Sequence, residues 1–224
     1  MAGEQPGGSR HPVLTVALVA LTALVLIGGS FKLILLPPVT SAIASNTVND
    51  QLSPLGHDEL VAVAEVGRAY VAGDRGAVLP EGDDEQIAFP ADVVSHMEDV
   101  RLVIQAAHVL TLVLVVLLVG VMVVAGRRAG RNTVASGLFV GGITAVALAL
   151  LLVVVGVLNF DALFTSMHKL FFADGTWTFA EDSLLICTYP LSFWTGMAIV
   201  WALALAFLSA VSATVGFLLR SRPT

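Results

Sequence analysis

Apolar residues dominate four stretches of the chain, at about 13–36, 102–126, 134–158 and 193–219. Each is longer than the roughly 20 residues that a helix needs to cross a bilayer's hydrocarbon core. The pattern therefore predicts four transmembrane helices. The link at 127–133 is short and makes the second and third spans antiparallel neighbours. Two longer polar-apolar segments, 37–101 and 159–192, separate the other spans. In the first of them Pro37 and Pro38 close the first span, because proline cannot continue a helix. Residues 58–71 read as a helix, with Asp58 as its cap, Glu59 in its first turn and Gly73 just past its end. Residues 80–86 read as an acidic turn, and 95–101 as already helical on entry to the second span. A short strand pair is expected near 176–179 and 184–188.

Charge adds an orientation. Arg10 precedes the first span, Arg127, Arg128 and Arg131 sit in the short link, and Arg220 and Arg222 follow the fourth span. Lys and Arg accumulate on the cytoplasmic side, so both termini are expected there, with 1–12 a disordered tail and 220–224 a short one. The two longer segments then lie outside, and they hold nearly all of the 17 acidic residues. The expected fold is an all-α membrane protein, an antiparallel four-transmembrane-helix bundle with a small extracytoplasmic cap. The formal charge of −6 argues against nucleic acid, which needs a basic face. Charged residues make up 12% of the chain and the mean hydropathy is +0.90, both far from the soluble average. The first span reads as a retained anchor, being too long for a signal peptide's apolar region. Gly137, Gly141 and Gly142 in the third span allow close helix approach.

Candidate chemistry is sparse. The chain has one cysteine, Cys187, which leaves no internal disulfide and no cysteine-cluster metal site. No Gly-x-Ser-x-Gly elbow, His-Glu-x-x-His pair or phosphate-binding glycine loop is present. Of the five histidines, His11 is in the tail, His57 reads as a surface residue, and His108 lies within the second span. Lys32, near the outer end of the first span, reads as snorkelling to the interface. His96 and His168 differ, because each sits at the border of an outer segment and both fall on the same side of the membrane. Asp99 follows His96 at i, i+3 on one helical face, where a carboxylate can orient an imidazole; it can equally pair with Arg101.

These residues sit in two blocks. The first, within 89–101, contains His96-Met97-x-Asp99-Val100. The second, within 164–194, contains Phe164-x-x-x-His168-Lys169-Leu170-Phe171-Phe172, then Trp177-x-Phe179, Asp182-Ser183-Leu184-Leu185, Pro190 and Phe193-Trp194. In this order and at these membrane positions they resemble the lipoprotein intramolecular transacylase family of four-span bacterial membrane proteins. The resemblance implies a diacylglyceryl lipoprotein as substrate and transfer of its sn-2 acyl chain to the α-amine of its N-terminal cysteine, giving the lyso-form lipoprotein. It implies His96 and His168 as the catalytic pair, with Asp99, Lys169, Trp177, Asp182 and Ser183 as supporting or substrate-positioning residues. His96 oriented by Asp99 is the expected base and His168 the oxyanion stabiliser or acid, although the roles can be exchanged. The implied setting is the bacterial cell membrane, with the active site at its extracytoplasmic face and membrane lipid as a partner. No cofactor or metal is expected, and no oligomeric state follows. Two other readings stand beside this one: a non-enzymatic assembly or scaffold subunit, and a metal or haem protein ligated by histidine.

Overall fold

The computed structural model describes residues 11–220. The expected tails, with Arg10 and Arg222, fall wholly or partly outside that range. Among the described residues the chain forms eight helices: α1 (Pro12–Ile34), α2 (Pro37–Thr47), α3 (His57–Ala72), α4 (Ala91–Arg128), α5 (Arg131–Leu158), α6 (Phe160–Phe171), α7 (Leu184–Thr188) and α8 (Leu191–Arg220). Four of them, α1, α4, α5 and α8, are long and apolar enough to cross a membrane. The protein is thus an all-α membrane protein. α4, with 38 residues, is about 57 Å long at 1.5 Å per residue, nearly twice a hydrocarbon core of about 30 Å. Its first turns, carrying Asp92, Glu98, Asp99 and Arg101, therefore stand outside the hydrocarbon.

The helices contribute to two compact units. The first comprises 11–29, 111–149 and 205–220. Leu18 of α1, Leu118 and Ala125 of α4 and Val134 of α5 form its apolar centre. Hydrocarbon solvates Leu as well as protein does, so helices associate here through close packing. A Cβ on Gly142 of α5 would lie 2.8 Å from the Ser209 carbonyl oxygen of α8, and one on Gly216 of α8 would lie 2.6 Å from that of Ala135. Gly130, at φ 82°, turns the chain between α4 and α5.

The second unit, Ser30–Leu110 and Leu150–Ala204, is a mixed core. Phe89, Leu60 and Leu184 are almost wholly buried within it, each stabilising it by about 1.5–3 kcal/mol. Pro37 does more than close α1: its fixed φ opens α2 at the first helical positions. The N-cap of α3 is Gly56 rather than the expected Asp58, and its N–H donates to the carboxylate of Glu59, three residues on, at 2.8 Å. Gly73, at φ 80°, ends it as expected. Arg68 of α3 is buried and donates to Glu65 at 2.7 Å, Asp74 at 2.8 Å and the Leu35 carbonyl at 3.3 Å. Burial opposes its charge, but the two carboxylates prevail and raise its pKa.

The acidic loop is pinned rather than free. The Leu184 N–H donates to the Glu85 carbonyl at 2.7 Å, and Gln86 donates to Asp182 at 3.0 Å. The expected strand pair is not formed. Residues 184–188 make α7, because the Ser183 hydroxyl accepts from the Ile186 N–H and caps a helical turn. A short apolar run alone does not distinguish strand from buried helix. The pairing seen among the described residues is one isolated bridge between Glu81 and Phe89.

Candidate active site

The site is built where α6 meets the first turns of α4, all within the second unit. α6 begins one residue after α5. Asn159 accepts from the Ala162 N–H at 3.0 Å and restarts the helix. Nine residues later α6 presents His168, which is 6% exposed. His96, in the second turn of α4, is 7% exposed. The two imidazole centroids lie 6.2 Å apart with their planes 22° from parallel.

Aromatic rings enclose the pair. Phe164 lies 3.9 Å and Trp177 5.0 Å from His168, measured between centroids. Phe172 lies 5.0 Å and Phe179 5.5 Å from His96. Such an enclosure removes water from both imidazoles, and burial disfavours their charged forms. Burial lowers the His96 pKa to about 4; nearby His168 adds to the effect and Asp99 opposes it. Burial also lowers that of His168, against a hydrogen bond that favours protonation. Both rings are therefore neutral near pH 7.

That hydrogen bond joins His168 Nδ1 to the Phe164 carbonyl oxygen at 2.9 Å. A carbonyl only accepts, so Nδ1 carries the proton and Nε2 carries the lone pair. Nδ1 of His96, in contrast, is buried without a hydrogen-bond partner, as is Nε1 of Trp177. Unpaired buried polar atoms are costly and uncommon in a finished core. Three ring systems with unused nitrogen capacity thus converge here.

The residues expected from the sequence divide accordingly. His96, His168 and Trp177 come together. Asp99 is exposed on α4 and acts on His96 through space; it does not hold Nδ1. Lys169 is exposed on α6. Asp182 is engaged by Gln86, and Ser183 caps α7 and donates to the Ala180 carbonyl at 2.6 Å. Neither is in ring contact with the pair. His57 pairs at the surface with Asp50 at 3.8 Å, and His108 sits half-buried with Nε2 unpartnered. Cys187 is buried, which raises its thiol pKa. The enclosing role of Phe164, Phe172 and Phe179 was not assigned from sequence. Their spacing around His168 was the available signal. Among the described residues, no three His, Cys, Asp or Glu side chains gather as a metal cluster would require.

The family model described as lipoprotein intramolecular transacylase Lit matches residues 15–194. The chain belongs to this family. Lit proteins are intramolecular transacylases by that description, so the chain is placed among acyltransferases. The structure of membrane-integral Lit from Bacillus cereus superimposes with a TM-score of 0.72 at 16% identity, covering 93% of this chain and 94% of that one. A second B. cereus Lit structure, in which one histidine is replaced by alanine, gives a TM-score of 0.68 at the same identity, over 93% and 92% of the two chains. At this identity the likeness establishes the Lit fold. No curated protein sequence matches the chain.

Proposed function

We propose that this protein moves the sn-2 acyl chain of a diacylglyceryl lipoprotein onto the α-amine of its N-terminal cysteine, using His168 as the base and His96 as a neutral hydrogen-bond donor. The observation that carries the assignment is the His168 Nδ1 contact with the Phe164 carbonyl. It leaves Nε2 free to take a proton. The expected roles are thereby exchanged, and Asp99 becomes a through-space influence.

Ester and amine belong to one molecule. Held in a reactive geometry, such partners reach effective molarities of about 10⁵–10⁸ M, so no enzyme nucleophile is required. The amine nitrogen attacks the ester carbonyl carbon while Nε2 of His168 takes the amine's proton. The carbonyl oxygen gains negative charge and accepts from the His96 N–H. The carbon–oxygen bond to glycerol then breaks, and the glycerol oxygen takes the proton back from His168. One amide replaces one ester and the enzyme is unchanged. A centroid separation of 6.2 Å is one that two hydrogen bonds to a single tetrahedral centre can span.

The site is read as facing outside the cell. Arg127, Arg128 and Arg131 around the α4–α5 turn support this, since the His96 end of α4 then emerges on the opposite side. The bacterial cell membrane is the setting on this reading, with both termini cytoplasmic.

The test uses a host that makes only diacyl lipoproteins, followed by fragmentation of a lipoprotein's N-terminal peptide by tandem mass spectrometry. Transfer leaves the intact mass unchanged, so the fragments must place one acyl chain on the amine. His168→Ala is expected to reduce transfer by about 10²–10⁴-fold, the usual contribution of a general base. A folded wild-type protein that never moves the chain overturns the proposal.

A further inference from the structure

α6 has an apolar stripe that the described residues leave largely uncovered. Leu170 is 75%, Phe171 51% and Met167 38% exposed. At 3.6 residues per turn these three share one side of the helix with Leu163, while Asp161, Thr165 and Lys169 lie opposite. His168 and Phe164 flank the stripe, between its apolar and polar sides. The stripe therefore runs without a break from the helix surface to the rim of the histidine pair.

The position of α6 names the occupant. Only Asn159 separates it from α5, one of the four membrane-spanning candidates. Val157 and Leu158, the last residues of α5, are themselves among the most exposed apolar residues of the chain. α6 thus starts at the edge of the hydrocarbon, too short to cross it and charged on one side. A helix of that kind lies in the interface with its apolar side in the acyl region.

Resting on the transacylase reading, we infer that α6 lies in the membrane interface and that its Met167–Leu170–Phe171 stripe is the path along which the substrate's acyl chain reaches His168. Hydrocarbon on the stripe is then continuous with hydrocarbon over the ring of Phe164. The ester at the head of the chain arrives beside Nε2 without its tail crossing water.

The test places a single fluorescent thiol label at Met167→Cys, Leu170→Cys, Asp161→Cys or Lys169→Cys; the native thiol is buried and serves as the unlabelled blank. In vesicles of phosphatidylcholine with brominated acyl chains, strong quenching is expected at 167 and 170, and little at 161 and 169. Equal quenching at all four positions, or none, overturns the placement of α6. For the path, the Met167→Ala/Leu170→Ala variant should raise KM for the lipoprotein about tenfold through lost apolar contact. Leu203→Ala, at an exposed position on α8, should leave KM unaltered. An unaltered KM in the double variant overturns the path while α6 keeps its seat in the interface. Absence of transfer by the wild type overturns the proposed function and the path with it, but the quenching pattern still decides how α6 lies.

Discussion

At the scale of single residues, the two histidines are chemically unequal although both are buried and neutral. His168 has a fixed tautomer because a backbone carbonyl holds its Nδ1. His96 has an unpaired Nδ1 and a pKa lowered to about 4. The inequality has a mutational consequence. His168→Gln should behave like His168→Ala, because an amide is no base. His96→Asn supplies an N–H donor and should retain part of the activity that His96→Ala loses, a loss of about 10²–10³-fold for one oxyanion donor. Rates of acyl transfer in detergent check both. Equal losses in the two His96 variants would exclude a donor role.

The same burial gives a pH dependence of stability. The folded-state pKa of His96 lies below the ordinary 6.5, so the unfolded chain binds the extra proton between those values. The contribution is complete above pH 6.5 and is lost as pH falls toward 4. Wild-type protein should lose more thermal stability between pH 6.5 and 4 than His96→Gln does, and histidine-selective NMR should find one titration with a midpoint near 4. If the two proteins lose stability in parallel, the ring is solvated.

At the scale of elements, glycines and buried charge do the positioning. Gly142 lies against the α8 backbone. Gly142→Ala should push α5 from α8 and destabilise the fold by about 1–3 kcal/mol, the usual range for overpacking, measured as a lower unfolding temperature. Arg68 ties α3 to the α1–α2 turn and to Asp74. Its partners are partly exposed, so the pairing is worth less than a fully buried one. Arg68→Leu should lower stability by about 1–3 kcal/mol, and acyl transfer should fall with folded fraction rather than separately. α7 shows how local chemistry overrode expectation. Its apolar run fitted a strand, yet the Ser183 hydroxyl supplied a helix cap that a strand cannot use.

At the scale of the whole molecule, the proposed orientation is checked from the two sides of the membrane. Asp83→Cys, in the loop pinned to 182–184, should react with an impermeant thiol reagent added to intact cells. Ala129→Cys, in the α4–α5 turn, should react only after the cells are opened. The reverse pattern would put the histidines on the cytoplasmic side.

The four long helices follow from the sequence alone, because the length of an apolar run is a local property and hydrocarbon thickness does the rest. The histidines were also legible, since imidazole is the side chain whose ordinary pKa lies nearest neutral pH, and the two blocks around them resemble one family. Only the tertiary structure brought His96 and His168 to 6.2 Å, because a meeting of distant segments depends on how α6 leaves α5. It also leaves Asp99 exposed on α4 and His96 Nδ1 without a hydrogen-bond partner. An i, i+3 spacing places two residues on neighbouring sides of a helix, but which of them faces the core depends on what packs there. The tautomer of His168 needed the Phe164 carbonyl one turn back, and whether that bond forms is decided by the side-chain packing of the aromatic enclosure.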